Sequence, residues 1–143
     1  MQDAGAPLIA LADDDDAHAE VVCAWLEALG YATRHFPTGD ALLAWAQGEP
    51  DAPAVVLLDV EMPGRDGFAV CAALRKLAPY ADIPCVLVSS IAEAPLAKGA
   101  RAAGGTGSMR KDAALLAKLA TWLQETVPIA PAPSRIPAAA LGV

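Results

Sequence analysis

Asp13 and Asp14, Asp59, Ser89 and Lys111 lie far apart in the chain, yet each stands at or just beyond the carboxyl end of a short run of strand-like character. Brought together, the three carboxylates would repel. Two unit charges ~5 Å apart oppose each other by about 3 kcal/mol at an effective dielectric of about 20. A divalent cation removes that cost, and oxygen-only ligands with room for water suit Mg2+. A carboxylate beside such an ion is a nucleophile toward phosphorus and forms an acyl phosphate. That transfer needs alignment and neutralisation of the phosphoryl oxygens. A lysine supplies charge to one oxygen and a hydroxyl a hydrogen bond to another, and Lys111 and Ser89 are of those types.

The elements around these residues alternate. Leu8 to Ala12 reads as a buried strand ended by the run Asp13 to Asp16. From Ala17 to Leu29, apolar residues at 21, 22, 25, 26 and 29 share a helical face, and Gly30 follows as a cap. Tyr31 to Phe36 is a half-exposed strand, and Thr38 is the N-cap candidate for a helix over 40–47. Ala54 to Asp59 is continuously apolar up to its final aspartate, as a central parallel strand requires. The loop from Met62 to Gly67 leads into a third helix, Phe68 to Leu77, and Pro84 to Ser89 is a fourth strand. A weak helix spans Ala94 to Ala103, where Gly99 costs about 1 kcal/mol relative to alanine. Ser108 to Arg110 is a poor strand on propensity and is placed by its position in the alternation; a last helix spans Ala113 to Glu125. Five strands alternating with five helices predict an α/β fold, an open doubly wound parallel sheet. Ligands in such sheets bind beyond the carboxyl ends of the strands, which is where the five residues converge.

Composition narrows the function. The chain has 143 residues, 55% hydrophobic and 19% charged, enough for one folded unit. Its net charge of −7 disfavours direct contact with nucleic acid or anionic membranes and favours a protein or cation partner. Cys23, Cys71 and Cys85 share no metal-ligand spacing and read as buried small hydrophobes in a reducing cytosol. No apolar run reaches the ~18 residues of a membrane span, and no signal peptide is legible, so the expected location is the cytoplasm.

The joint order of these pieces resembles the response-regulator receiver family. The resemblance rests on Asp13-Asp14 after an apolar strand, on Leu57-Leu58-Asp59 with Met62-Pro63-Gly64 and Asp66-Gly67 beyond it, on Ser89 closing Pro84 to Val88, and on Lys111. It covers about residues 7 to 125, leaving a proline- and alanine-rich linker or tail over 127–143. It implies a flavodoxin-like sheet of order 2-1-3-4-5, with residues 1–126 as the receiver domain. It also implies that Asp59 accepts a phosphoryl group from a histidine kinase or phosphotransfer protein. Asp14 would bind Mg2+ directly, Asp13 through water or by orienting the site, and Glu61 through its backbone carbonyl. Ser89 and Lys111 would close on the phosphoryl group, with no enzymatic activity beyond the domain's own phosphorylation and dephosphorylation, and a protein target unknown.

Two departures from the family pattern stand out. Ser108 occupies the position of the usual aromatic on the fifth strand, so the family's route of signal transmission is not assured here. Asp112 follows Lys111 where a cis proline is usual, and without proline a cis bond costs several kcal/mol, roughly. The alternative is therefore a degenerate receiver that binds partners without phosphorylation. Aspartate-nucleophile phosphatases and flavin carriers fit less well: there is no length for a cap domain, and four aspartates stand where a flavin phosphate would bind. Asp15 and Asp16 read as a solvated helix start, Arg110 as surface, and His18 and His35 as solvated. Ser90 is a competing hydroxyl, and Trp25, Trp45 and Trp122 sit at helical core positions. The weak fourth helix is the candidate moving element.

Overall fold

A computed structural model describes residues 5–48 and 51–129. The strands are β1 (Leu8–Ala12), β2 (Ala32–Phe36), β3 (Val55–Asp59), β4 (Cys85–Ser89) and β5 (Gly107–Arg110). The helices are α1 (Asp16–Ala28), α2 (Gly39–Gly48), α3 (Gly67–Leu74), α4 (Glu93–Ala103) and α5 (Leu115–Thr126). All strands pair in parallel, in the order β2-β1-β3-β4-β5. The expected sheet and its order are therefore present.

The three central strands read as continuous apolar runs because both sheet faces are covered. Alternate residues feed two separate cores. Ala10, Val56, Leu58 and Leu87 pack under α2, α3 and α4, whereas Ile9, Leu11, Val55, Leu57 and Val86 pack under α1 and α5. Thr38 caps α2 as expected, accepting from Ala41 N–H at 3.0 Å. Asp15 caps α1 by accepting from His18 N–H at 3.1 Å, in line with its reading as a helix start.

Several boundaries and environments differ. α3 stops at Leu74 rather than Leu77, and a 3-10 turn (Ala78–Tyr80) follows. Leu77 is extended and breaks the helix, and Pro79 is accommodated at the start of the 3-10 turn. Arg75 closes this corner, donating to the carbonyls of Tyr80 (2.7 Å), Ile83 (2.6 Å) and Gly104 (2.9 Å). Gly99 is a packing residue as well as a propensity cost, because a Cβ there would overlap the Phe68 ring. Trp25 is 39% exposed instead of core, with its indole N–H donated to Leu116 O across to α5. Trp45 and Trp122 are half-buried, and Cys23 is half-buried while Cys71 and Cys85 are buried. Among the described residues every peptide bond is trans, Lys111–Asp112 included, and no helix is long and apolar enough to cross a membrane. Of the expected tail over 127–143, residues 130–143 lie outside the described residues.

Candidate functional site

The carboxyl ends of β1, β3, β4 and β5 bring the five sequence-predicted residues to one edge of the sheet. Asp13 follows β1, its N–H bonded to Phe36 O at 3.0 Å, and Asp59 is the last residue of β3. Ser89 ends β4, and Lys111 follows β5 with its N–H bonded to Ser89 O at 2.9 Å. Gly67 N–H donates to Val60 O at 3.0 Å, seating the start of α3 directly behind the acceptor strand.

Asp13 and Asp59 are 1% and 2% exposed, while Asp14 is exposed. One carboxylate oxygen from each of the three can lie within 4.8 Å of the others. Lys111 Nζ stands 3.2 Å from Asp59 Oδ1 and 3.6 Å from Asp13 Oδ2. Burial pushes the Asp59 carboxyl up to about 6; Lys111 opposes the shift, and Asp13 and Asp14 add to it. Burial pulls Lys111 down, but Asp13 and Asp59 outweigh it, so its ammonium is held above the usual lysine range. Among the described residues Asp59 Oδ1 has no hydrogen-bond partner beyond the ion pair with Lys111. A buried carboxylate oxygen left this way, beside two further carboxylates, suits a hard cation.

The site also contains contacts that the sequence did not disclose. His18 and His35 are corrected from solvated to site residues. His18 Nδ1 lies 2.8 Å from Asp13 Oδ2, and His35 Nε2 lies 2.7 Å from the Asp13 carbonyl oxygen. The legible signal is position: His18 stands in the first turn of α1, five residues past Asp13, and His35 pairs with Leu11 near the end of the neighbouring strand.

Glu61 contributes its side chain. The Ser89 hydroxyl donates to Glu61 Oε1 at 3.1 Å, and Ser90 donates to the same oxygen at 3.4 Å. Ser89 is fully buried and Ser90 exposed, which separates the two competing hydroxyls. Arg110 is exposed, yet its guanidinium holds the carbonyls of Ile91 (3.1 Å) and Ser90 (3.3 Å). Ser108 is half-buried on β5, opposite Leu87 of β4.

An acid cluster with two buried members and a paired lysine at the carboxyl edge of this sheet defines a class, and comparison with known proteins agrees. The family model of the response regulator receiver domain matches residues 9–121. The chain belongs to that family, the receiver domains of two-component signalling. It is 31% identical over 88 residues to the transcriptional regulatory protein BaeR of Escherichia coli O6:H1, covering 62% of this chain and 35% of that protein. To the response regulator PleD of Caulobacter vibrioides it is 37% identical over 83 residues, 58% of this chain and 18% of that one. The matched segments thus span about a third of the first relative and under a fifth of the second. The fold is that of the Vibrio cholerae chemotaxis protein CheY4, with a TM-score of 0.77 at 24% identity over 85% of this chain and 99% of that one.

Proposed function

We propose that this receiver is a phosphorylation-dependent switch in which Asp59 takes a phosphoryl group from a histidine kinase or phosphotransfer protein. The observation that carries this reading is the buried Asp59 carboxylate, paired with Lys111 and facing two further aspartates. Asp59 attacks phosphorus, the phosphorus–nitrogen bond to the donor histidine breaks, and an acyl phosphate forms. With its proton released above about pH 6, Asp59 is a nucleophile at neutral pH. Lys111 transfers its pairing from the carboxylate to the phosphoryl oxygens, and Ser89 donates a hydrogen bond to another of them.

The all-carboxylate donor set supports a Mg2+ site made by Asp13, Asp14 and Asp59, with the Glu61 backbone carbonyl as a further ligand. Bound there, the ion would neutralise the carboxylates and orient the phosphoryl oxygens. Residues 1–126 are the receiver unit in this reading and 127–143 a connecting tail, in a cytoplasmic protein acting on a protein target. Ser108, in place of an aromatic, favours a second reading as a phosphorylation-independent interaction module.

Intact mass after incubation with acetyl phosphate separates the two. A Mg2+-dependent phosphoryl adduct on the wild type that is lost in Asp59→Asn is expected. No adduct, together with no Mg2+-dependent change in tryptophan fluorescence, would favour the interaction module. His18 fixes Asp13 Oδ2 from outside the donor set, and loss of such a support commonly costs about tenfold in metal affinity. His18→Ala is therefore expected to weaken Mg2+ binding about tenfold, read by Mg2+ titration of tryptophan fluorescence. An unchanged affinity would separate His18 from the site.

A further inference from the structure

We propose that Glu61 is a positioning residue whose side chain latches the Ser89 hydroxyl away from Asp59 in the unphosphorylated protein. The latch rests on the reading of Asp59 as acceptor. A serine hydroxyl has one proton, and Ser89 gives it to Glu61 Oε1 at 3.1 Å while its oxygen accepts from Ile91 N–H at 3.1 Å. Ser90 donates to the same Glu61 oxygen at 3.4 Å, so two hydroxyls converge on one acceptor at the β4–α4 loop. Arg110 binds the carbonyls of Ser90 and Ile91 in the same loop.

The flanking backbone is fixed. Val60 N–H donates to Val88 O, and Lys111 N–H to Ser89 O, each at 2.9 Å. Motion of the Ser89 proton toward a phosphoryl oxygen on Asp59 is thus a change of hydroxyl partner, with Glu61 as the partner surrendered. The closed state forfeits one hydrogen bond to a carboxylate, and Glu61 sets the population that is closed before any phosphoryl group arrives. Glu61 is an exposed residue, so changing its side chain leaves the core and its own backbone carbonyl in place.

Two substitutions distinguish a hydrogen-bond latch from simple charge. Glu61→Gln removes the charge but keeps a carbonyl that accepts from Ser89; Glu61→Ala removes both. The full chain is titrated with beryllium fluoride in the presence of Mg2+, and the Ile91 amide resonance, whose proton sits on Ser89 Oγ, is followed. Glu61→Ala is expected to bind about fivefold more tightly than Glu61→Gln, the weight of one net hydrogen bond. In the Ser89→Ala background the two are expected to be equal. Equal affinities of the two Glu61 variants with Ser89 present, or a difference that survives in Ser89→Ala, overturn the latch alone. No response of the wild type to beryllium fluoride overturns the acceptor reading and the latch with it.

Discussion

Replacing Asp59 with asparagine is expected to stabilise the metal-free protein by about 2–3 kcal/mol at neutral pH and by almost nothing at about pH 4. Burial raises this carboxyl to about 6, against the pull of Lys111. Between the ordinary carboxylate value and about 6, the native state keeps a proton that the unfolded chain has released. Stability therefore falls as pH rises through that window and levels off above it. A gap of about two pH units corresponds to about 3 kcal/mol at 1.36 kcal/mol per unit.

Asparagine is neutral at every pH and nearly the same shape, so it avoids the cost. Lys111 is not stranded by the change, because its ammonium also faces Asp13 Oδ2 at 3.6 Å. Thermal unfolding of both proteins from pH 4 to 8 reads the effect, a gain of about 5–10 °C at neutral pH. Saturating Mg2+ is expected to narrow the gap, since it binds the wild-type native state preferentially. A gain of equal size at both ends of the pH range would mean that packing, and not ionisation, is responsible.

Gly67→Ala is expected to destabilise the fold by about 3 kcal/mol or more. A Cβ at this position would overlap the carbonyl oxygen and carbon of Asp59 and the Cα of Val60. These are backbone atoms, so no rotamer change can make room, and either β3 or the start of α3 must shift. The shift would also strain the Gly67 N–H bond to Val60 O and the Asp66 cap on Ala69 N–H. Gly48→Ala is the control: nothing lies within 4 Å of its built Cβ, and a change of less than about 1 kcal/mol is expected in denaturant titration. Similar midpoints for the two variants would remove close approach as the reason for glycine at position 67.

The sequence disclosed what strand burial writes into a pattern. β3 and β4 are covered on both faces and show as unbroken apolar runs, so Asp59 and Ser89 were readable as their ends. β5 is half-buried and four residues long, and only the alternation of elements located it. Trp25 reads as core from sequence because Val21 and Trp25 form an apolar column beside Val22 and Leu26, yet of these four α1 buries Val22 and Leu26 alone. The histidines on Asp13 and the Glu61 side chain on Ser89 depend on where side chains meet across elements. Residue type and local spacing carry no record of that.

The two edge strands have a consequence for self-association. Among the described residues β2 and β5 each leave one side of the backbone ladder without a strand partner, the geometry through which sheets of separate molecules fuse. β5 is short and ends in Arg110, and β2 carries Arg34 with its guanidinium 5.6 Å from the Phe36 ring. The exposed Arg34 penalises strand addition at the β2 edge, and β5 offers only four residues to pair with. Both edges of the five-stranded sheet are thereby guarded against a sixth strand from another copy.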